Sequence, residues 1–245
     1  MSDQQRFLIF GGTGGIGSAL ATRLHRRGAR LVISARGAER GEAMARSLDA
    51  AFVAGDVRDD GVVDGAFAQA IDRLGGLDGV ALAVGSILLK PAHLLRDEEW
   101  EDTLALNLTS AFRVVRAAAK RMGKTGGSVV LFSTTAALHG LPNHEAIAAA
   151  KAGVDGLVRS AAATYASRGL RFNAVAPGLV ETPLAARITG SERARETSLR
   201  MHPLKRLGAP DDIARVAEWL LTDDSSWVTG QTVAVDGGIS TVASP

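Results

Sequence analysis

Short apolar runs alternate with amphipathic stretches along most of the chain. Residues 6–10 are apolar and lead into GGTGGIG. Residues 18–27 then follow a helical period, with Leu20 and Leu24 on one face and Arg23, Arg26 and Arg27 on another. Residues 29–35 read as a second strand, 38–48 as a polar helix, and 50–55 as a buried-type strand ending at Asp56 and Val57. Residues 59–74 read as a third helix, with Asp59 or Asp60 as its N-cap, and 77–84 as a fourth strand. One long helix is predicted over 97–122. From Gly127 the chain reads as a strand, a loop and the start of a long Ala-rich helix. A sixth strand at 170–176, a charged helix at 191–199 and an amphipathic helix at 211–221 come next; Pro210, Asp211 and Asp212 signal the start of the last. The final strand, Thr232–Val235, runs into Asp236-Gly237-Gly238.

Strands and helices that alternate through short connections imply a parallel, doubly wound α/β sheet of about seven strands with helices on both faces. No linker, repeat or low-complexity stretch divides residues 1–245, so a single domain is predicted.

Composition narrows the function. Hydrophobic residues make up 46% of the chain and aromatics 4%, so the core is built from Ala, Val, Leu and Ile. The formal charge is +2 with both signs mixed along the chain, and no basic block offers a nucleic-acid footprint. The absence of Cys excludes disulfides, thiolate metal sites and a Cys nucleophile. The first residues lack a signal-peptide pattern and no apolar run is long enough to span a bilayer, so a cytoplasmic protein without a membrane partner is expected.

The candidate chemistry begins at the glycines. A strand, a Gly-rich turn and a helix form the context in which backbone approaches a pyrophosphate and a helix N-terminus supplies open N–H groups. Two registers fit: Gly12, Gly14 and Gly17 as GxGxxG, or Gly11, Gly15 and Gly17 as GxxxGxG. The second strand ends in Ser34, Ala35 and Arg36 rather than in an acidic residue. An Arg there, with no carboxylate beside it in sequence, suits a ribose 2′-phosphate, so NADP(H) is expected over NAD(H). Asn107 lies beside the apolar stripe of the long helix, where a buried amide must be hydrogen-bonded.

Five stretches then fall in order. They are GGTGGIG at 11–17, Asp56-Val57, LNLTSAF at 106–112, NAVAPGLVETP at 173–183, and PLKRLGAPDDIA followed by VTGQTVAVDGG. The chain resembles the short-chain dehydrogenase/reductase family, a Rossmann-fold family, over nearly its whole length. The resemblance implies that Gly11, Thr13, Gly15, Ile16 and Gly17 cradle the pyrophosphate, with Arg36, Asp56, Val57 and Gly85 on the adenosine side. It places Pro177, Gly178, Val180 and Thr182 at the nicotinamide and Lys151 on its ribose. Asn107 is implied to hold a kink and a water in the active-site helix. It also implies a small-molecule substrate and a homo-oligomer, dimer or tetramer.

The departures carry as much information. Phe10 stands where the family has Thr, and Leu82-Ala83-Val84-Gly85 replaces an NNAG turn. Thr134 occupies the position of the catalytic Ser, with Ser133 adjacent, and Ile147 that of the catalytic Tyr, four residues before Lys151. An aliphatic side chain has no proton to give. The lone Tyr165 lies about 27 Å farther along the predicted helix. His144, seven residues before Lys151, shares a helical face with Ile147 and Lys151 and is one candidate donor; a water or a residue elsewhere is another. Thr134 or Ser133, with Lys151, is placed to polarise a carbonyl.

The leading reading is an NADP(H)-dependent oxidoreductase of a carbonyl, alcohol or enoyl substrate with an atypical proton donor. The alternative is a non-catalytic NADP(H)-binding scaffold or sensor. A lid over 184–202 carries Arg187, Arg193, Arg195 and Arg200; such a run suits an anionic substrate such as a thioester carrier but is more often a solvated helix face.

Overall fold

A computed structural model describes residues 4–242. The chain runs β1 (Arg6–Phe10), α1 (Gly15–Arg26), β2 (Arg30–Ala35), α2 (Ala38–Ser47), β3 (Ala51–Ala54), α3 (Val62–Leu74) and β4 (Gly79–Leu82). It continues through α4 (Asp97–Leu104), α5 (Ser110–Arg121), β5 (Gly127–Phe132), α6 (Thr135–Leu138), α7 (Glu145–Tyr165) and β6 (Leu170–Pro177). It ends with α8 (Ala186–Thr189), α9 (Glu192–Met201), α10 (Pro210–Leu221) and β7 (Thr232–Val235). All strands are parallel, in the order β3-β2-β1-β4-β5-β6-β7.

The alternation of side chains along each strand feeds two cores, one on each face. From β1, Leu8 and Phe10 pack with α3, α5 and α7, while Phe7 and Ile9 pack with α1 and α10. The aromatic-poor composition works because Ala lines the helix faces: Ala117 and Ala118 on α5, Ala161 and Ala162 on α7, Ala214 and Ala217 on α10. Such small residues let helices lie close to the sheet. Arg23 of α1 binds the buried Glu218 of α10, and also Asp211 at 3.0 Å, which fixes those two helices side by side.

Two predicted elements differ. The third helix starts at Val62, not at Asp59, because Gly61 takes the left-handed conformation at φ +77° and itself stands at the N-cap; neither Asp59 nor Asp60 caps it. The long helix predicted over 97–122 is split between α4 and α5 by a π-helical turn at Ala105–Thr109. Among the described residues, no helix is long and apolar enough to cross a membrane.

Strand order reverses between β1 and β4, and the loops after those two strands diverge there. In an open parallel sheet this divergence leaves a crevice beyond the C-terminal strand ends.

Candidate active site

The crevice contains a cavity of about 280 Å³. Each wall is a strand exit. Residues 83–87 and Leu89 follow β4, residues 132–136 lie at the end of β5, and Pro177, Gly178, Leu179, Val180 and Thr182 lie at the end of β6. Ile147 and Lys151 come from α7, with His144 just before it, and Leu184, Ala185, Ile188, Ser198, Met201 and His202 come from the lid.

The glycine turn sits at one end. Gly11 has φ +77°, and a Cβ there would stand 2.5 Å from the Ala83 carbonyl. A Cβ on Gly17 would stand 2.2 Å from the Gly11 carbonyl. A Cβ on Gly15 would stand 2.7 Å from the Thr182 methyl and one on Gly12 2.4 Å from Ile33, so Gly11, Gly12, Gly15 and Gly17 are all closely packed while Gly14 has more room. Helix α1 opens with no side-chain cap and no acidic residue in its first turn. Its first amides have no intrahelical partner and face no competing anion. This cradle fits a dinucleotide pyrophosphate, with Ile16 at its edge of the cavity and Thr182 across from Gly15.

The adenosine side is more crowded than the sequence implies. Asp56, at the end of β3, lies 3.8 Å from the Arg36 guanidinium, so a carboxylate does stand beside Arg36. Asp56 is held chiefly by Arg58 at 2.9 Å, which lowers its pKa from the usual carboxylate value. Arg36 itself remains largely exposed. A second cation, Arg40 of α2, donates to the Thr13 carbonyl at 3.1 Å and so lies against the glycine turn. Its four-residue spacing from Arg36 is a signal that sequence reading can use. Val57 is buried, and its carbonyl accepts from Arg113 at 3.1 Å.

Lys151 is the centre of the inner end. It is buried, and its Nζ donates to the Phe132 carbonyl at 2.8 Å. Burial pulls its pKa down to about 8, while the charge of Asp155 pulls the other way. Asn107 is also buried, in the π-helical turn. Its Nδ2 donates to Ser86 Oγ and to the Thr103 carbonyl, both at 2.9 Å, and its Oδ1 accepts the Ser86 N–H at 3.2 Å. The extra residue of the turn leaves the Thr103 carbonyl to the amide side chain. Gly85 separates the two groups: a Cβ there would lie 3.1 Å from Asn107 Oδ1 and 3.7 Å from Lys151 Nζ.

The hydroxyls divide. Ser133 is buried against α7, its Oγ 3.3 Å from the Lys151 backbone carbonyl and bonded to Asp155. It is therefore spent on structure, contrary to the expectation that it polarises a substrate. Thr134 is half-buried and caps α6, accepting the Ala136 N–H at 3.4 Å, which leaves its own proton to give. Thr135 donates to Asp236, a buried carboxylate that also takes N–H bonds from Gly238 at 2.9 Å and Ser240 at 3.0 Å. Burial alone would raise the pKa of Asp236, but these donors bring it below the usual value.

His144 stands at the N-cap of α7 rather than within the helix, and it lines the cavity with Ile147 and Lys151. Its Nδ1 is 2.7 Å from the Pro142 carbonyl. A carbonyl only accepts, so Nδ1 carries the proton and Nε2 is the ring nitrogen left for other partners. Tyr165 packs on Phe172 at 5.9 Å between ring centroids, at the far end of α7.

Among the described residues, the lid arginines form a solvated face rather than part of the cavity. Arg195 pairs with Glu181 at 2.7 Å, Arg200 reaches Thr197, and neither they nor Arg193 line the cavity. The side chain of Arg187 lies outside the described residues. What faces inward is Leu184, Ile188, Met201 and His202. His202, unmarked in the sequence, is buried; it donates through Nδ1 to the Ser198 carbonyl at 2.7 Å and accepts the Leu179 N–H at 3.4 Å, which ties the lid to the loop after β6.

With this geometry in place, likeness to known proteins is informative. The family model described as Enoyl-(Acyl carrier protein) reductase matches residues 11–240. The chain belongs to the short-chain dehydrogenase/reductase family. It is 34% identical over 241 residues to 3beta-hydroxysteroid dehydrogenase 1 of Eggerthella lenta, covering 95% of this chain and 92% of that one. It is 36% identical over 242 residues to cis-4-hydroxycyclohexanecarboxylate dehydrogenase of Sinomonas cyclohexanicum, covering 96% of each. A short-chain type dehydrogenase/reductase from Mycobacterium ulcerans superposes with a TM-score of 0.93 at 31% identity, over 100% of this chain and 93% of that one. As a short-chain dehydrogenase/reductase, the chain belongs to an NAD(P)(H)-using family of oxidoreductases.

Proposed function

We propose that this protein is an NADP(H)-dependent oxidoreductase that interconverts a neutral, ring-borne secondary alcohol and its ketone, with His144 handling the proton. The observation that carries the reading is the cavity itself: Lys151 and Thr134 are part of its lining, and most of its surface is apolar. The nicotinamide, when bound, supplies the hydride chemistry.

The chain's own residues do the remainder. Lys151 holds the nicotinamide ribose, Val180 meets the nicotinamide with its backbone, and Arg36 and Arg40 meet the 2′-phosphate. Thr134 donates a hydrogen bond to the substrate oxygen. Ile147, buried at the Tyr position, closes the cavity wall but carries no proton. His144 takes the hydroxyl proton on Nε2 during oxidation, and its Nδ1–H on Pro142 holds the ring in the tautomer that can do so. In reduction the same nitrogen returns the proton to the developing alkoxide.

The substrate class follows from the wall. Ile87, Leu89, Leu141, Leu184, Ile188 and Met201 offer apolar surface, and among the described residues Lys151 is the one Lys or Arg of the lining. An alicyclic alcohol suits that surface better than a charged carrier thioester. The two relatives named above for a hydroxysteroid and a hydroxycyclohexanecarboxylate accord with a ring-borne hydroxyl.

The test is NADP⁺-dependent oxidation of a panel of cyclic alcohols, with NADPH-dependent reduction of acetoacetyl and enoyl thioesters as the contrasting set, by wild type and His144→Ala. Oxidation of a cyclic alcohol that falls at least about tenfold in the variant supports the reading. Undiminished turnover removes His144 as the proton acceptor. Nucleotide binding without turnover of any class would favour a scaffold or sensor instead.

A further inference from the structure

Helix α7 carries three buried side chains at four-residue intervals: Ile147, Lys151 and Asp155. That spacing places them on one face, each a turn from the next. The first two line the cavity, whereas Asp155 does not. It lies deeper, 5% exposed, where an ionised carboxylate is costly.

Its partners are specific. Thr232 of β7 donates its hydroxyl to Asp155 Oδ1 at 2.9 Å. The Ser133 hydroxyl, at the end of β5, lies between Asp155 and the Lys151 backbone carbonyl. One carboxylate thus connects α7 to two neighbouring parts of the sheet, a turn away from the lysine. Accepting the Thr232 hydroxyl does not require a charge; an amide oxygen accepts it as well. A buried anion is therefore more than this hydrogen bonding needs.

We propose that Asp155 is a positioning residue of the active site: its carboxylate fixes the register of α7 against β5 and β7 and supplies the negative charge that offsets the buried Lys151 ammonium. This rests on the reading of Lys151 as a nucleotide-binding cation. The groups around the pair support it. On α7, Lys151 precedes Asp155 by one turn and Arg159 follows it by one turn; both are cations coupled to its charge. From β5 come the Phe132 carbonyl and Ser133, from β7 Thr232, and from the π-helical turn the neutral amide of Asn107 beside Gly85. Burial lowers the Lys151 pKa and Asp155 opposes that fall. Without the carboxylate, the ammonium would lose its proton at a lower pH.

The test compares wild type with Asp155→Asn, which keeps the shape and the hydrogen-bond acceptor and removes the charge. Asp155→Ser is a second variant in case the amide disturbs folding. The direct readout is the titration of Lys151 followed by ¹³C NMR of the lysine ε-carbons. The chain has only five lysines, at positions 90, 120, 124, 151 and 205, and Lys151→Met identifies the signal. The Lys151 midpoint is expected to fall by about 1 pH unit in both charge-removing variants. NADPH affinity, measured by fluorescence titration, should begin to weaken at a correspondingly lower pH. Thr232→Val, which keeps the carboxylate, should leave the midpoint nearer that of wild type. An unchanged Lys151 midpoint in a folded charge-removing variant would overturn the inference. The NMR readout needs no nucleotide, so a wild type that binds neither NADPH nor NADH would sink the cofactor reading separately.

Discussion

Lys151 Nζ donates to the carbonyl oxygen of Phe132 at 2.8 Å in the interior, so the end of β5 and the middle of α7 are joined by a buried cation. The ammonium is costly there. Its folded pKa of about 8 lies below the unfolded value, so below about pH 8 both states hold the proton and the burial cost is fully present. As pH rises from about 8 to about 10.4, the folded state sheds its proton first and stability rises. Lys151→Met removes that cost but strands the Phe132 carbonyl and leaves the buried Asp155 without its offsetting cation, so no net gain in stability at neutral pH is expected. The alkaline rise in stability should flatten, and NADPH affinity should fall at least about tenfold. Urea unfolding at neutral and alkaline pH, with a nucleotide titration, measures all three.

Asn107 leads to a different stability prediction. Its amide satisfies Ser86 Oγ, the Ser86 N–H and the Thr103 carbonyl inside the π-helical turn. Asn107→Ala strands the last two and should cost about 2–3 kcal/mol. Turnover should also fall, since the loop after β4 that carries Gly85 and Ser86 loses its tie to the helix. Thermal unfolding and steady-state kinetics check the two effects.

The succession of strands and helices, the helix cover on both faces and the glycine turn were legible because each rests on a local period or a local steric demand. Phe7 and Ile9 alternate with Leu8 and Phe10 in the sequence as they do in space. The periodicity hid the π-helical turn, because Leu104, Leu108, Ala111 and Val115 keep an unbroken helical stripe across it; the family resemblance, with a kink held by Asn107, pointed to its place. The start of α3, where the left-handed Gly61 outcompeted two plausible aspartate caps, was not legible. At the site, Lys151 and Thr134 line the cavity, and Gly11 and Gly15 form the tight turn beside it. The bonding of Ser133 and the pairing of Arg195 with Glu181 were not legible, because which way a side chain faces at a strand exit or on a short helix is decided by packing. Ser86, Asp155 and His202 had no sequence signal; each matters through a partner distant in the chain.

Arg40 lies against Thr13 of the turn, and Arg36 follows β2 beside Asp56. If they meet a 2′-phosphate, Arg36→Ala and Arg40→Ala should each raise the Kd for NADPH about tenfold, by loss of a charge-assisted contact, and change that for NADH little. The difference should shrink as salt is added. Parallel titrations with the two nucleotides read it.

Ser34 sits on β2 opposite Phe10, and among the described residues its Oγ is the buried side-chain oxygen or nitrogen left without a hydrogen-bond partner. Removing that hydroxyl takes away a desolvation cost at little loss of packing. Ser34→Ala should gain about 1 kcal/mol and raise Tm by a few degrees. A loss of stability would mean that the hydroxyl has a partner in solution.

The most direct measurement of the central claim is isotope transfer. Wild type is incubated with NADPH deuterated at the transferring position of C4 and a panel of neutral cyclic ketones, and the products are analysed by mass spectrometry. The account predicts deuterium on the carbinol carbon of a product alcohol, and its loss in Lys151→Met. NADPH that binds in the crevice yet gives no deuterated alcohol from any ketone would contradict it.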